Sequence, residues 1–205
     1  MKKILLALAF IGQCFLSALA APSPESAREL VERQAQTILD NLSKNKALYS
    51  QNPDALIQLA DQEILPHLDF SYMAKFVLGR SAKQVTADKQ SAFEQAFKQF
   101  LVRAYSKGWE AYADSKLNDN VKFLGNPDVD DKGRAVLKLQ VRDKTGNTVP
   151  VEFKLRPSQE KWLIYDVVFA NVSFLISYRS SFENILQNQG VDSLIQQLNQ
   201  GSIQP

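Results

Sequence analysis

The side chains that most often carry out catalysis are sparse in this sequence. His67 is the single histidine and Cys14 is the single cysteine. We therefore expect neither a Ser-His-Asp nor a Cys-His nucleophilic site, and we expect His67, beside Pro66, to be a capping or surface residue. The sequence has no His/Cys/Asp/Glu group with metal-ligand spacing, and its eight glycines form no phosphate-binding motif.

Asp166 is the one acid that strand hydrophobes flank on both sides, within 162–169. Strict alternation places it on one face with Trp162, Ile164 and Val168. A buried carboxylate is usually hydrogen-bonded, so we predict a structural role for Asp166 and no enzymatic activity for the chain.

The N-terminus has the pattern of a secretory signal peptide over residues 1–20. Lys2 and Lys3 precede an apolar run that ends in Ala18-Leu19-Ala20, an A-x-A cleavage site. The run is short for a retained anchor, and Gln13 before Cys14 is a poor match to a lipoprotein cleavage site. We expect a mature chain that begins at Ala21, lies in the periplasm, and contains no cysteine.

Without the two signal-peptide lysines, the remaining chain has equal numbers of basic and acidic side chains. Proteins that bind nucleic acid concentrate positive charge, so this balance argues against such a partner. The length suits one domain, and we predict a single domain over 21–205.

Helices are predicted to position the first half of the chain. Apolar spacing of three and four residues indicates helices within 26–115, at 26–42, 52–66, 69–79 and 86–115. Asn52 and Asp69 suit helix N-caps and Gly79 suits a helix end. The longest helix has a mainly aromatic stripe, formed by Phe93, Phe97, Phe100, Leu101, Ala104, Tyr105, Trp109 and Tyr112.

Strands are predicted over 120–169, at 121–123, 134–142, 148–156 and 162–169. Tight turns join them, which predicts an antiparallel four-stranded meander. The last strand is apolar on both faces, so we expect it to be covered on both sides. Two helices follow within 173–199, the first with Ser173 as its N-cap. Helices, a meander and more helices make an α+β fold.

The apolar surface has two possible roles. The inner strand faces and the aromatic stripe can form an ordinary core, or part of them can line a ligand cavity.

Several short motifs, in this order, resemble the toluene-tolerance (Mla pathway) family of periplasmic phospholipid-binding proteins. They are VLGR at 77–80, FKQFLVRAY at 97–105, WLIYDV at 162–167, VS at 172–173 and YRSSF at 178–182. The family tends to have an acidic residue and a glycine before the Val-Ser pair, where this chain has Ala170 and Asn171.

The resemblance implies a helical part packed on an NTF2-like sheet, which encloses an apolar cavity for acyl chains. It implies phospholipid as the ligand, no cofactor and no metal. It also implies two partners, an MCE-domain ABC transporter complex at the inner membrane and a lipoprotein complex at the outer membrane, between which a monomer carries lipid. The lipid-binding residues we expect are Phe76, Val77, Phe97, Leu101, Tyr105, Val121, Phe123, Leu137, Leu139, Val141, Val151, Phe153, Tyr165, Val167, Phe169 and Val172.

Two other classes of function remain open from the residues. An enzyme on the same scaffold would need an acid or base directed into the pocket, and a chaperone for apolar segments would need an open apolar surface.

Overall fold

The computed structural model describes residues 22–52, 54–105, 120–142 and 146–203. The predicted signal peptide, the end of the predicted long helix at 106–115 and the first half of the predicted turn at 144–147 lie outside these ranges.

The first helix, α1 (Pro24–Lys44), begins where the sequence changes to helical spacing. Ser23 is its N-cap and accepts a hydrogen bond from the Ser26 backbone N–H, and Pro24 occupies the first helical position. The indole N–H of Trp162 donates to the Ser23 carbonyl at 2.8 Å, which joins the beginning of α1 to the sheet.

A single helix was predicted over 52–66, and this prediction is wrong in detail. The structure has α2 (Lys46–Gln51), α3 (Asp54–Leu59), a π-helical segment (Ala60–Ile64) and a 3₁₀ segment (Leu65–His67). Asn52 is the C-cap of α2, and its carbonyl accepts a hydrogen bond from the Ala55 backbone N–H at the beginning of α3. Pro66 has no N–H and its ring clashes with the preceding turn, so a regular α-helix cannot continue to it.

Helix α4 (Phe70–Leu78) has the predicted ends. The Asp69 carboxylate accepts from the Tyr72 backbone N–H, and Gly79 closes the helix with a φ of 56°. A side chain at Gly79 would meet the guanidinium of Arg179 at 3.1 Å, so this position has little room as well as positive φ. A 3₁₀ segment (Gly79–Lys83) leads to α5 (Ala87–Tyr105).

The sheet is entirely antiparallel. Its strands are β1 (Val121–Phe123), β2 (Asp128–Val129), β3 (Ala135–Arg142), β4 (Thr148–Ser158), β5 (Lys161–Phe169) and β6 (Val172–Ser173). The order is β1-β3-β4-β5-β6, with β2 also paired to β3. The predicted meander is confirmed, and β2 and β6, of two residues each, are additions to it.

A β-bulge at Tyr165 changes which faces of β5 are buried. Lys154 pairs with Asp166 but Leu155 pairs with Ile164, so Tyr165 is an extra residue in the ladder. Trp162 and Ile164 therefore share the inner face with Leu155, and Asp166 lies on the other face. The predicted common face of Asp166 with Trp162 and Ile164 is wrong because alternation assumes an unbroken ladder.

The carbonyl of Ile164 accepts a hydrogen bond from the Asp69 backbone N–H at 2.8 Å. This bond attaches the beginning of α4 to β5 beside the bulge.

The chain ends in α6 (Phe174–Asn188), with the predicted Ser173 cap, and α7 (Gly190–Gln200). The buried side chains form three clusters: one among α4, α5, α6 and α7, one between α1 and the inner face of the sheet, and a small one where α1, α2 and α3 meet. This is the predicted α+β class. In the part of the chain that the structure describes, no helix is long and apolar enough to cross a membrane.

Candidate ligand cavity

A cavity of about 570 Å³ lies where the three clusters meet. Its size falls within the range of roughly 300–1,000 Å³ that small-molecule ligands occupy. Apolar side chains form most of its wall. They come from α1, α3, the π-helical and 3₁₀ segments before α4, α4 itself, the end of α5, the sheet and α6. Those described are Val31, Ala35, Ile38, Leu39, Leu42, Leu56, Leu59, Ala60, Ile64, Leu65, Leu68, Phe70, Met73, Leu101, Val102, Val121, Phe153, Ile164, Val167, Phe174 and Leu175.

Helix α1 has two roles along its length. Its first turns pack Ala27 and Leu30 against the sheet, whereas Ala35, Ile38 and Leu39 face the cavity. The part of α1 beyond the sheet thus leaves apolar side chains that another element or a ligand must cover.

Six of the predicted lipid-binding residues line this cavity, namely Leu101, Tyr105, Val121, Phe153, Tyr165 and Val167. They come from the end of α5, β1, β4 and β5, so the structure brings together residues that are far apart in the sequence.

The other ten are not in its wall. Val77 and Phe97 are 0% exposed in the helical cluster, and Phe76 packs beneath the guanidinium of Arg179. Leu137 belongs to the cluster between α1 and the sheet.

The remaining positions lie on the sheet or at its end. Leu139 and Val151 pair with each other and are buried, Val141 pairs with Val121, Phe123 lies beneath Arg28, and Phe169 and Val172 are exposed. Lipid contact by any of these residues stays a prediction.

Phe93, Phe97 and Phe100 of the aromatic stripe lie outside the cavity wall, whereas Leu101 and Tyr105 of the same stripe line it. Phe93, Phe97 and Phe100 instead stack and pack edge-on against Tyr178 and Phe182 of α6. Sequence reasoning missed the wall formed by α1 and by residues 56–68. The available signal was α1 itself, whose apolar positions are more numerous than one sheet-facing stripe requires.

Asp166 borders the cavity but its carboxylate is fully occupied. Oδ2 accepts from Ser173 Oγ at 2.7 Å and lies 3.2 Å from Lys154 Nζ, and Oδ1 accepts from the Leu175 backbone N–H. The predicted structural carboxylate is confirmed, at 5% exposure. Asp166 therefore fixes the turn from β5 into α6.

Two tyrosines form a second polar contact, at the α5–α6 side. The hydroxyls of Tyr105 and Tyr178 are 2.7 Å apart, and the Tyr105 ring stacks on Phe174. Burial, together with this hydrogen bond, raises the pKa of Tyr178 far above its ordinary value. One hydroxyl donates to the other, so each has a hydrogen-bond partner within the protein.

The polar residues of the opposite wall are not paired in this way. His67, Glu63 and Gln34 line the cavity, and Gln34 Oε1 is a buried acceptor with no hydrogen-bond partner among the described residues. Burial lowers the pKa of His67, and the nearby charges of Arg33 and Lys161 lower it further, against the opposing effect of Glu63. His67 is thus neutral at pH 7.

Within the described ranges, no group of three or more His, Cys, Asp or Glu residues could hold a metal ion. The wall offers apolar surface for an apolar ligand and few groups for bond-making chemistry.

Comparison with known proteins identifies the family to which this chain belongs. The model of the MlaC protein family matches residues 32–200. The chain belongs to the MlaC family. The match covers every element from α1 to α7 except the first two turns of α1, and so includes all the described residues of the cavity wall but Val31.

Two related proteins agree with this assignment to the MlaC family. The chain is 25% identical to the intermembrane phospholipid transport system binding protein MlaC of Haemophilus influenzae, over 100% of this chain and 95% of the relative. It is 23% identical to the toluene tolerance protein ttg2D of Pseudomonas putida, over 86% of this chain and 79% of the relative.

The fold matches that of a phospholipid-binding protein from Ralstonia solanacearum, solved in complex with a phospholipid. The TM-score is 0.75 at 23% identity, and the match covers 85% of this chain and 96% of the other.

Proposed function

We propose that this protein is a periplasmic phospholipid carrier, which holds the acyl chains of one lipid in the cavity while it moves between membranes. The observation that carries the proposal is a cavity of about 570 Å³ with a wall of mostly apolar side chains, in a chain of the MlaC family. The names of the related proteins, which include intermembrane phospholipid transport, support the same function.

The energetics of acyl chains explain why such a carrier needs an enclosed apolar site. Burial of one methylene contributes about 0.8 kcal/mol, so about 30 methylenes of a two-chain lipid contribute roughly 24 kcal/mol. A bilayer gives the same contribution. Transfer between bilayer and carrier is therefore nearly balanced, and partner proteins set its direction.

The partners in this proposal are an MCE-domain ABC transporter complex at the inner membrane and a lipoprotein complex at the outer membrane. Lipid exchange between them maintains the asymmetry of the outer membrane. The pattern of residues 1–20 supports export to the periplasm. The carrier acts without a cofactor, as a monomer, and catalyses no reaction.

Purification without detergent, followed by native mass spectrometry, tests this function. We expect protein with bound phospholipid, and we expect protein stripped with organic solvent to regain lipid from vesicles when the partner complexes are present. Protein that carries no lipid and takes none up would contradict the carrier function. Turnover of a small apolar substrate would instead favour an enzyme, and suppression of aggregation of unfolded clients would favour a chaperone.

A further inference from the structure

The polar side chains around the cavity form two groups. Those of the first group have hydrogen-bond partners within the protein, and those of the second group do not have a full set. Tyr105 and Tyr178 bond to each other, and Asp166 bonds to Ser173, Lys154 and Leu175. Each of these side chains already has a hydrogen-bond partner within the protein.

The second group lies on α1 and on the segment before α4. Gln34 Oε1 is buried without a partner in the described part of the chain, a state that costs free energy until a donor is provided. Oxygen and nitrogen of an amide exchange places by a half-turn of the last torsion, so Gln34 can offer a ligand either an acceptor or a donor.

Positively and negatively charged side chains lie around the end of the cavity that α1 and the segment before α4 form. Arg33 and Lys161 are exposed and near enough to His67 to affect its charge, and Glu63 lies on the same wall as His67. Among the described residues, none of Arg33, Lys161 and Glu63 forms a salt bridge, whereas Arg28, Lys89, Arg134 and Lys138 each have an acidic partner.

We propose that Arg33, Gln34, Glu63, His67 and Lys161 form the head-group end of the cavity. This assignment, which rests on the proposed carrier function, fixes the direction in which a lipid enters: the acyl chains point toward α5 and α6, and the phosphate lies beside α1 and the beginning of β5.

The chemistry of a glycerophospholipid matches these residues part by part. The phosphodiester is an anion, and Arg33 and Lys161 provide the two cations near it. The orphaned acceptor Gln34 Oε1 suits an N–H donor such as the ethanolamine ammonium, and after a half-turn of the amide Gln34 Nε2 can instead donate to an ester carbonyl. The carboxylate of Glu63 suits the ammonium of ethanolamine and repels an anionic head group, so Glu63 shifts the preference of this end toward a zwitterionic lipid.

Competition between two head groups tests the assignment. Lipid-free protein is loaded from vesicles of equimolar phosphatidylethanolamine and phosphatidylglycerol, and native mass spectrometry gives the ratio of the two bound lipids. An ion pair at a solvated site changes affinity by about two- to fivefold. We expect Glu63→Gln to lower the ethanolamine-to-glycerol ratio by this factor. We expect Arg33→Gln/Lys161→Gln to raise it, since the anionic lipid loses more.

Matched controls use the same changes away from the cavity. Glu94→Gln on α5 and Arg80→Gln/Lys83→Gln after α4 remove equal charge from residues outside the cavity wall, and we expect the parent ratio from both. Thermal unfolding of each variant verifies that it is folded.

The outcomes separate this inference from the carrier function. If the parent binds lipid but the ratio is unchanged in the Glu63 and Arg33/Lys161 variants, the head group is not at this end and the inference is overturned. A ratio that responds to Tyr105→Phe alone would place the head group at the α5–α6 side and also overturn it. If the parent binds no lipid, the carrier function itself is wrong.

Discussion

Asp166 is the residue whose interactions connect the sheet to the C-terminal helices. Removal of one partner from a buried ion pair typically costs about 3–5 kcal/mol, because the other groups are left unsatisfied. Here Asp166→Ala leaves Lys154, Ser173 Oγ and the Leu175 N–H without their acceptor. We expect a loss of that size in the free energy of unfolding, measured by urea denaturation.

The control for Asp166 is Asp128, which also pairs with a cation but is exposed. Asp128→Ala removes the ion pair with Lys138 and should change stability little. Equal effects of the two substitutions would show that burial of Asp166 does not contribute.

Ala170 has a backbone conformation that suits glycine. Its φ is 49°, and that of Asn171 is 66°. A non-glycine residue there costs roughly 1–2 kcal/mol, and glycine's greater freedom in the unfolded chain offsets part of the gain. We expect Ala170→Gly to stabilise the protein by about 0.5–1 kcal/mol.

Asn171→Gly provides the comparison, because asparagine tolerates this region better than alanine and the gain should be smaller. Calorimetric melting measures both variants. A lower melting temperature for Ala170→Gly would contradict the argument.

His67 makes stability depend on pH. Its pKa in the folded state is lowered, mainly by burial and then by Arg33 and Lys161, so the unfolded chain binds a proton more readily. The contribution is complete above about pH 6.5 and is lost as the pH falls through the folded pKa. His67→Gln should therefore lose less stability than the parent between pH 7.5 and pH 5.0.

Melting temperatures at the two pH values measure this difference. Since carboxylates titrate in both proteins, only the difference between them reports His67. A larger loss in the glutamine variant would show that protonated His67 is stabilised in the fold.

At the scale of elements, the sequence predicted both ends of α4, the beginning of α6 and the meander because their signals are local. Asp69, Gly79 and Ser173 act on backbone groups within a few residues of themselves. Pairing of Leu137 with Phe153 and of Leu139 with Val151 follows from alternation on two strands that are close in the sequence.

The bulge and the cavity could not be predicted in the same way. Tyr165 lies in a strand that is apolar on both faces, so a shift of one residue leaves no trace in the pattern. Likewise, an apolar stripe has the same spacing whether it faces a helix, as Phe97 does, or an empty volume, as Ile38 does. Whether an apolar stripe packs against a neighbour or lines a cavity depends on how far apart the helices and strands lie, which the spacing of apolar residues does not give.

Helix α1 allows a matched test of packing against cavity, because one alanine of each kind lies on it. Ala27 is 0% exposed against the sheet, and Ala35 faces the cavity two turns later. Ala27→Trp inserts a large ring into a packed core and should cost at least 1–3 kcal/mol. Ala35→Trp should leave the lipid-free protein nearly as stable and strongly reduce the bound lipid.

Thermal unfolding after delipidation and native mass spectrometry measure these two effects. If Ala35→Trp melts as low as Ala27→Trp, or if it keeps its full lipid load, the wall of α1 is ordinary core.

At the scale of the whole molecule, the cavity and the bilayer compete for the acyl chains of a lipid. The cavity has a limited volume, whereas the bilayer does not limit the amount of lipid. As long as added methylenes fit inside, protein and vesicle bury them equally, and the distribution of lipid between the two does not depend on chain length. Once the cavity is full, each further methylene is buried only in the vesicle.

This competition predicts a break in a chain-length series. Phospholipids with one head group and acyl chains of increasing length should distribute between protein and vesicles in a constant ratio up to a limiting length. Beyond it, each additional methylene should favour the vesicle by about fourfold, which corresponds to about 0.8 kcal/mol. Ala35→Trp, which fills part of the volume, should move the break to shorter chains, whereas the head-group variant Glu63→Gln should leave it in place. A ratio that changes steadily from the shortest lipid onward would mean that the acyl chains are held on an open surface and not inside the cavity.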